Sequence, residues 1–237
     1  MTVKAEPVII PGVGAFRGLN PADSLTLVLV RHGVTAHTMA GLLAGGDTPG
    51  PPLSPQGEQM ALGAAAALKN LAEHWPELPP PTDLLVSPMT RAQQTAMPIS
   101  LALDLPMETD PRLREIEFGA WHEMSLEDVE KQWPGQFYRM YSEGTFAPPD
   151  GESYADTAAR VGAVVADLTH THLGQTVIIV GHAAMIRAII GPLLEIPAAH
   201  WAQIRISPCS LSIVRIWPDA YGGLGTTELV CLGVPSC

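Results

Sequence analysis

The sequence predicts an α/β fold, a three-layer α/β/α sandwich whose mostly parallel central sheet carries helices on both faces and a small helical cap over one end. Three observations predict it. The runs Leu25–Val30 and Thr176–Val180 are aliphatic and β-branched without an alternating polar face, as interior strands of a parallel sheet are. Each run is followed by a histidine beside a glycine, His32 with Gly33 and His182 with Gly181. The carboxyl ends of such strands face the crevice where open sheets bind ligands. Between them, helix start signals alternate with short apolar segments, as β and α elements in turn require.

Taken in order, residues 1–23 form an extension rich in Gly and Pro, and residues 24–237 form one domain. The first strand opens at Leu25. The loop from Met39 to Pro52 holds four Gly and three Pro and reads either as the shaper of a substrate mouth or as an ordinary surface loop. Ser54 is a helix N-cap with Pro55 at the first helical position, and an alanine-rich helix runs to about Trp75. Four prolines make Pro76 to Thr82 a connection. Asp83 to Val86 is a short apolar segment, and Ser87-Pro88 is a start signal that puts Arg91 in the first turn of the next helix. Helices near Ser125 to Trp133 and Ser153 to Leu168 are assigned to the cap, the second burying Tyr154, Ala158, Val161, Val165 and Leu168 on one face. Strands at Ser210 to Trp217 and Thr226 to Leu232 close the chain, which contains no internal repeat.

With 237 residues, 46% hydrophobic and 16% charged, the chain buries roughly 70–75% of its unfolded surface without covalent staples. Its net charge of −11 argues against nucleic acid or an anionic membrane as partner, since both require a basic face. Cys209, Cys231 and Cys237 are an odd set without close spacing, which points to neither a disulfide framework nor a zinc site and fits a reducing compartment. Met1 to Gly14 has Lys4 as its single cation and reads as neither secretory signal nor transit peptide. No apolar run reaches the roughly 18 residues of a membrane span. The expected location is the cytoplasm, with monomer and homodimer both open.

The chemistry begins at Arg31-His32-Gly33. A guanidinium holds two phosphate oxygens in its planar fork, a neutral imidazole beside it can attack phosphorus, and the glycine lets the backbone approach a bound group. A lone histidine after a strand is also an ordinary hydrogen-bonded core residue, so the rest of the chain decides. Arg91, at a helix amino terminus that itself attracts anions, makes a second cationic clamp. In Leu113 to Trp121, carboxylates mix with apolar and aromatic residues, and a carboxyl partly withdrawn from water suits a general acid near neutral pH.

These residues resemble the histidine phosphatase superfamily, which includes cofactor-dependent phosphoglycerate mutases, fructose-2,6-bisphosphatases and α-ribazole phosphatases. The resemblance spans about Leu25 to Ile216. It rests on four runs in the family's order: R-H-G with Thr35 behind it, S-x-x-x-R-A-x-x-T-A at Ser87 to Ala96, L-x-E-x-x-F-G-x-W at Leu113 to Trp121, and G-H at Gly181-His182. It implies that His32 is the nucleophile that becomes phosphohistidine. It further implies that Arg31, Arg91 and His182 surround the phosphate oxygens, and that Glu115 gives a proton to the leaving oxygen and later takes one from water. The backbone N–H of Ala183, opening a helix, is a further phosphate donor. Neither metal nor cofactor is expected, because two guanidinium groups and an imidazolium can stabilise the charge on the transferring phosphoryl group. His32 must be neutral, with its other ring nitrogen donating to a carbonyl, whereas His182 is more useful as a cation.

Several positions depart from the family pattern. Thr38 stands where an asparagine is usual, and its hydroxyl can still donate to phosphate; Val34 replaces a frequent acidic residue. Gly181 and Ala183 stand where Ser and Gly are common, and His122 and Glu123 replace a Glu and a Gly. Phe118, Trp121, His122, Tyr138 and Tyr141 are candidates for the mouth of the site, with core packing as the alternative role of each aromatic. Gly151-Glu152-Ser153 resembles a turn before a cap helix. His170 and His172 read as solvated rather than metal ligands, and His37, His74 and His200 have no evident partner. The leading function is hydrolysis of a small phosphomonoester through phosphohistidine. Phosphoglycerate-mutase-type transfer is the first alternative and a catalytically weak phosphate-ester binding module the second. The region after Trp121 is short and acidic, which favours the hydrolase.

Overall fold

A computed structural model describes residues 19–46 and 49–236. Six strands form one sheet: β1 (Leu25–Arg31), β2 (Pro81–Val86), β3 (Met107–Thr109), β4 (Thr176–Gly181), β5 (Leu211–Pro218) and β6 (Leu224–Val234), in the spatial order β3-β2-β4-β1-β5-β6. The pairs β1–β4, β2–β4 and β2–β3 are parallel; β1–β5 and β5–β6 are antiparallel. The helices are α1 (Ala36–Ala40), α2 (Pro55–His74), α3 (Thr90–Leu103), α4 (Leu126–Gln132), α5 (Gln136–Glu143), α6 (Tyr154–Thr171) and α7 (Ala183–Leu193).

Alternate side chains of β1 feed two cores. Leu25, Leu27 and Leu29 pack with residues of α6 and α7, and Val28 and Val30 pack with residues of α2 and α3. That two-sided burial is the physical reason for the unbroken aliphatic runs, and it gives the expected three layers. The register then builds the functional end: Val30 pairs with Val180 and Arg31 with Gly181, so the residues that follow, His32 and His182, leave the sheet side by side.

The helix caps follow the sequence closely. Ser54 Oγ accepts from Gly57 N at 3.1 Å with Pro55 in the first turn, Ser125 caps α4, and Ser153 and Asp156 form a reciprocal capping box on α6. Other expectations need correction. Ser87 does not cap α3; Met89 holds that position without a side-chain bond, and Arg91 still falls in the first turn. The cap is built from α4 and α5, whereas α6 lies on the sheet in the layer with α7. Pro81 and Thr82 belong to β2, with Pro81 at its first residue, where a missing N–H is tolerated. Of the expected extension, residues 1–18 lie outside the described residues. Pro21–Asp23 form a single 3₁₀ turn, and Asn20 O accepts from Trp217 Nε1 at 2.9 Å.

Packing against α2 adds a requirement for glycine at position 33. A Cβ there would meet Gly57 O at 2.6 Å, and one on Gly57 would strike the carbonyl of Val34. Two glycines let the segment after β1 lie backbone to backbone on the first turn of α2. Among the described residues no helix is long and apolar enough to cross a membrane.

Candidate active site

His32 is almost fully buried, and both ring nitrogens have assigned work. Nδ1 lies 2.7 Å from the carbonyl of Gly33 and must donate to it, which leaves Nε2 as the lone-pair nitrogen. Arg91 Nε donates to that Nε2 at 3.3 Å, consistent with the same tautomer. Burial first, then the charges of Arg91 and Arg31, hold His32 well below the usual imidazole range, so the ring is neutral. The expected donation to a backbone carbonyl is present.

The ring of His182 lies 5.1 Å from that of His32, centroid to centroid. Its Nε2 is 2.7 Å from Ser87 Oγ, which explains why Ser87 is not a cap. Burial and then Arg91 also hold His182 well below the usual range. Its ring is therefore neutral rather than the expected cation, and an anion beside it would favour the protonated form. Arg91 Nη2 donates to Ala44 O at 3.2 Å, and Arg31 Nη1 to Ile206 O at 2.8 Å. Among the described residues, Arg31 Nε, Arg91 Nη1 and His182 Nδ1 are buried without a hydrogen-bond partner. Buried polar atoms left unpaired are costly, and these three belong to residues grouped around His32.

Glu115 reaches the same place from the loop after β3. Its Oε1 accepts from Ile116 N at 3.0 Å and Met185 N at 3.2 Å, and its Oε2 from Ala184 N at 3.4 Å. The amino terminus of α7 thus holds the carboxyl of Glu115, in addition to the apolar company the sequence indicates. Sequence reasoning missed what fixes the backbone there. Arg160, on α6, donates to the carbonyls of Arg112, Arg114 and Glu115 at 2.7, 2.9 and 3.0 Å, and its charge is balanced by Glu152 at 2.8 Å. Arg114 joins the cluster through Glu117 and Glu152.

A cavity of about 280 Å³ joins these groups; it is lined by Arg31, His32, Arg91, Glu115, Ala183 and Thr38, among others. Thr38 sits on α1, its Oγ1 3.1 Å from Thr35 Oγ1 and its N–H on that same oxygen. The Met39–Pro52 loop is part of the wall: Gly41, Leu42, Leu43 and Ala44 line the cavity, and a Cβ on Gly46 would overlap the carbonyl of Glu115. Leu126, Phe137 and Tyr141 cover it from α4 and α5. Of the mouth candidates, Phe118 and Tyr141 line the cavity, Trp121 is wholly buried in the core, Tyr138 is 75% exposed, and His122 Nδ1 accepts from Gly45 N. Among the remaining histidines, His37 lies 3.1 Å from Glu123 and His172 3.4 Å from Asp83. Arg187 on α7 also lines the cavity and went unnoticed, because nothing in its local sequence separates it from a surface arginine. The arrangement suits a tetrahedral anion held by guanidinium groups above His32 Nε2, with a carboxyl group at its side.

Comparison with known proteins identifies the family and the fold. Residues 27–223 match the histidine phosphatase superfamily (branch 1). The chain is 31% identical over 191 residues to the "Probable phosphoglycerate mutase GpmB" of Enterobacter sp. (strain 638), covering 79% of this chain and 83% of that protein. It is 30% identical over 187 residues to the glucosyl-3-phosphoglycerate phosphatase of Mycobacterium tuberculosis, covering 75% and 79%. The solved mycobacterial glucosyl-3-phosphoglycerate phosphatase superposes with a TM-score of 0.78 at 25% identity, over 89% of this chain and 99% of that one. The α-ribazole phosphatase from Shigella flexneri gives 0.71 at 25% identity, over 89% and 96%. By sequence and by fold, the chain belongs to the histidine phosphatase superfamily, branch 1.

Proposed function

We propose that this protein hydrolyses a small phosphomonoester through a covalent phosphohistidine on His32, without a metal ion, with Glu115 as general acid and base. In the first step His32 Nε2 attacks phosphorus, the bond from phosphorus to the ester oxygen breaks, and Glu115 gives that oxygen its proton. In the second, water attacks the phosphohistidine, Glu115 takes the water's proton, and inorganic phosphate leaves with His32 neutral again. Arg31, Arg91 and His182 hold the transferring oxygens in both steps, with the Thr38 hydroxyl and the Ala183 N–H as further donors. Residues 24–237 act in this reading as one catalytic domain, with 1–23 as an extension.

The observation that carries the reading is the fixed tautomer of His32: Nδ1 tied to Gly33 O and Nε2 beside the guanidinium of Arg91 at the cavity floor. A structural histidine has no need of an unprotonated nitrogen held against a cation, whereas a nucleophile toward a phosphate dianion does. The test is phosphate release from phenyl phosphate in the presence of chelator, by the parent and by His32→Ala and Glu115→Gln. Turnover by the parent is expected, with loss of about 10²- to 10⁴-fold in Glu115→Gln and of all phosphoenzyme in His32→Ala. Parent activity that survives in His32→Ala overturns the proposal. The similarity to a phosphoglycerate mutase supports the alternative of phosphoryl return to the substrate. Interconversion of 2- and 3-phosphoglycerate without phosphate release would establish that alternative.

A further inference from the structure

We propose that Tyr154 is a positioning residue for the first chemical step: its hydroxyl bridges Tyr141 of the cap and Arg187 of α7, and so fixes the wall that holds the leaving group against Glu115. This rests on the hydrolase reading and extends it beyond the residues that line the cavity.

Tyr154 opens α6, is buried, and does not itself line the cavity. Its ring packs between two others, 5.7 Å from that of Tyr141 and 5.7 Å from that of Trp201, the latter edge-on at 87°. A phenylalanine would make the same ring contacts, so the hydroxyl needs a separate account. Side-chain hydrogen bonds join Tyr154 to Tyr141 and to Arg187. A guanidinium can only donate, so the Tyr154 oxygen accepts from Arg187, and the proton of the same phenol is free to go to the Tyr141 oxygen. Burial pushes both phenols up, so each keeps its proton.

This chain of bonds has an anchored end and a working end. Arg187 Nε donates to Ile204 O at 2.8 Å, and two residues on Ile206 O accepts from Arg31 Nη1 at 2.8 Å, so one short segment after the 3₁₀ turn Ala198–Gln203 holds both guanidinium groups. At the other end Tyr141 lines the cavity, its ring 4.7 Å from that of Phe137, which lines it too. The charge of Glu115 bears on both tyrosines, which puts the pair within electrostatic reach of the acid. Proton donation by Glu115 goes to the leaving oxygen, so the space between Glu115 and this wall belongs to the leaving group. The backbone also ties the cap to α6, Ala155 N donating to Gly144 O at 2.9 Å. The hydroxyl chain meets α5 about one turn earlier, and a second tie there restrains rotation of α5 about the first. Such restraint matters because a shift of about 1 Å in a positioning surface can cost about 10²-fold in rate.

The test sets two reactions of the parent, Tyr154→Phe and Tyr141→Phe side by side: kcat/KM for phenyl phosphate, which has a leaving group, and exchange of ¹⁸O between inorganic phosphate and water, which has none. In the exchange His32 attacks phosphate, Glu115 protonates the departing oxygen, and solvent water reverses the step. Tyr154→Phe keeps the ring and its packing. It is expected to lower kcat/KM for phenyl phosphate about five- to twentyfold while exchange changes by less than about twofold. Tyr141→Phe cuts the same chain at its other end and is expected to do the same, and it carries the test if Tyr154→Phe does not fold. The double variant is expected to fall no further than either single one, since one chain is broken in each. Equal falls in hydrolysis and exchange would mean that the hydroxyls serve the phosphoryl group or the fold at large, and the proposal is lost. Unchanged hydrolysis of phenyl phosphate in both single variants, with the parent active, removes the proposal and leaves the hydrolase reading standing. A parent that neither hydrolyses phenyl phosphate nor exchanges oxygen removes the two together.

Discussion

Ser87 shows how one hydroxyl can set the state of a site. His182 is buried, and its ring has one hydrogen bond among the described residues, to Ser87 Oγ at 2.7 Å; the same oxygen accepts from Met89 N at 3.3 Å. The serine therefore holds the imidazole plane while keeping the start of α3 in contact with it. Replacing Ser87 by alanine leaves a ring nitrogen buried without a partner and frees the ring to turn. The expected cost is about 1–3 kcal/mol in urea unfolding, together with a fall in kcat larger than any change in KM. A variant that matches the parent in both would mean that the hydroxyl neither supports nor orients the ring. From sequence alone Ser87 reads as a helix start because it is followed by Pro88 and a helix-forming run. Only the pairing of β2 with β4 brings it to His182, 95 residues away.

At the level of elements, the carboxyl side of the site depends on α6, an element that contributes nothing to the cavity wall around His32. Arg160 ties three carbonyls of the segment leading into Glu115, those of Arg112, Arg114 and Glu115, to α6, and Glu152 neutralises it. Arg160→Met removes all of these bonds while keeping much of the side-chain volume. It should release the loop and leave Glu152 without its principal partner, with a fall in kcat of about tenfold or more and a smaller change in KM, because positioning of the acid rather than ground-state binding is lost. Equal falls in kcat for Arg160→Met and Arg160→Lys would show that the planar fork is what matters; an unaltered kcat in the methionine variant would refute the positioning role. These elements were unequally legible in the sequence. Helices α2, α4 and α6 announce themselves through Ser54, Ser125 and Ser153, each a side-chain cap. Helix α5 has Gly135 at its cap position with φ of 76° and no side-chain bond, so nothing local marks its start. Strand β3 is three residues long, below the length at which alternation can be read. Arg31, His32, Arg91 and His182 could be singled out because each stands at the end of an element with a recognisable pattern, and Glu115 because it lies in the Leu113 to Trp121 run that carries the resemblance. Arg160 and Arg187 could not, since their places come from which helix faces the Glu115 loop and which faces the cavity.

For the whole molecule, the site gathers buried neutral imidazole and buried guanidinium groups inside an acidic protein, and that arrangement sets the pH dependence of stability. Both His32 and His182 are held well below the usual range, by burial first and by Arg91 next. In the unfolded chain each titrates near 6.5, so between that value and the folded values the unfolded state binds more protons than the native state. Stability is then fully present above about pH 6.5 and falls as the pH drops below it, with a limiting slope of about 2.7 kcal/mol per pH unit for two protons. The carboxylates act lower on the scale. Burial raises Asp110 and Glu152, but hydrogen bonds from Arg112 and Arg160 outweigh it, and Ser153 holds Asp156 down; their contributions are lost only near and below the ordinary carboxylate range, about pH 4. The window from pH 6.5 to 5 thus belongs chiefly to the two histidines. Urea unfolding across that window should show a steep loss in the parent and a much shallower one in the double variant His32→Asn, His182→Asn, whatever the absolute stability of the variant. Saturating inorganic phosphate should flatten the parent's curve as well, because an anion between Arg31, Arg91 and His182 favours the protonated ring. Parallel curves for parent and double variant would mean that the loss of stability arises elsewhere and that the histidines are not held neutral by the fold.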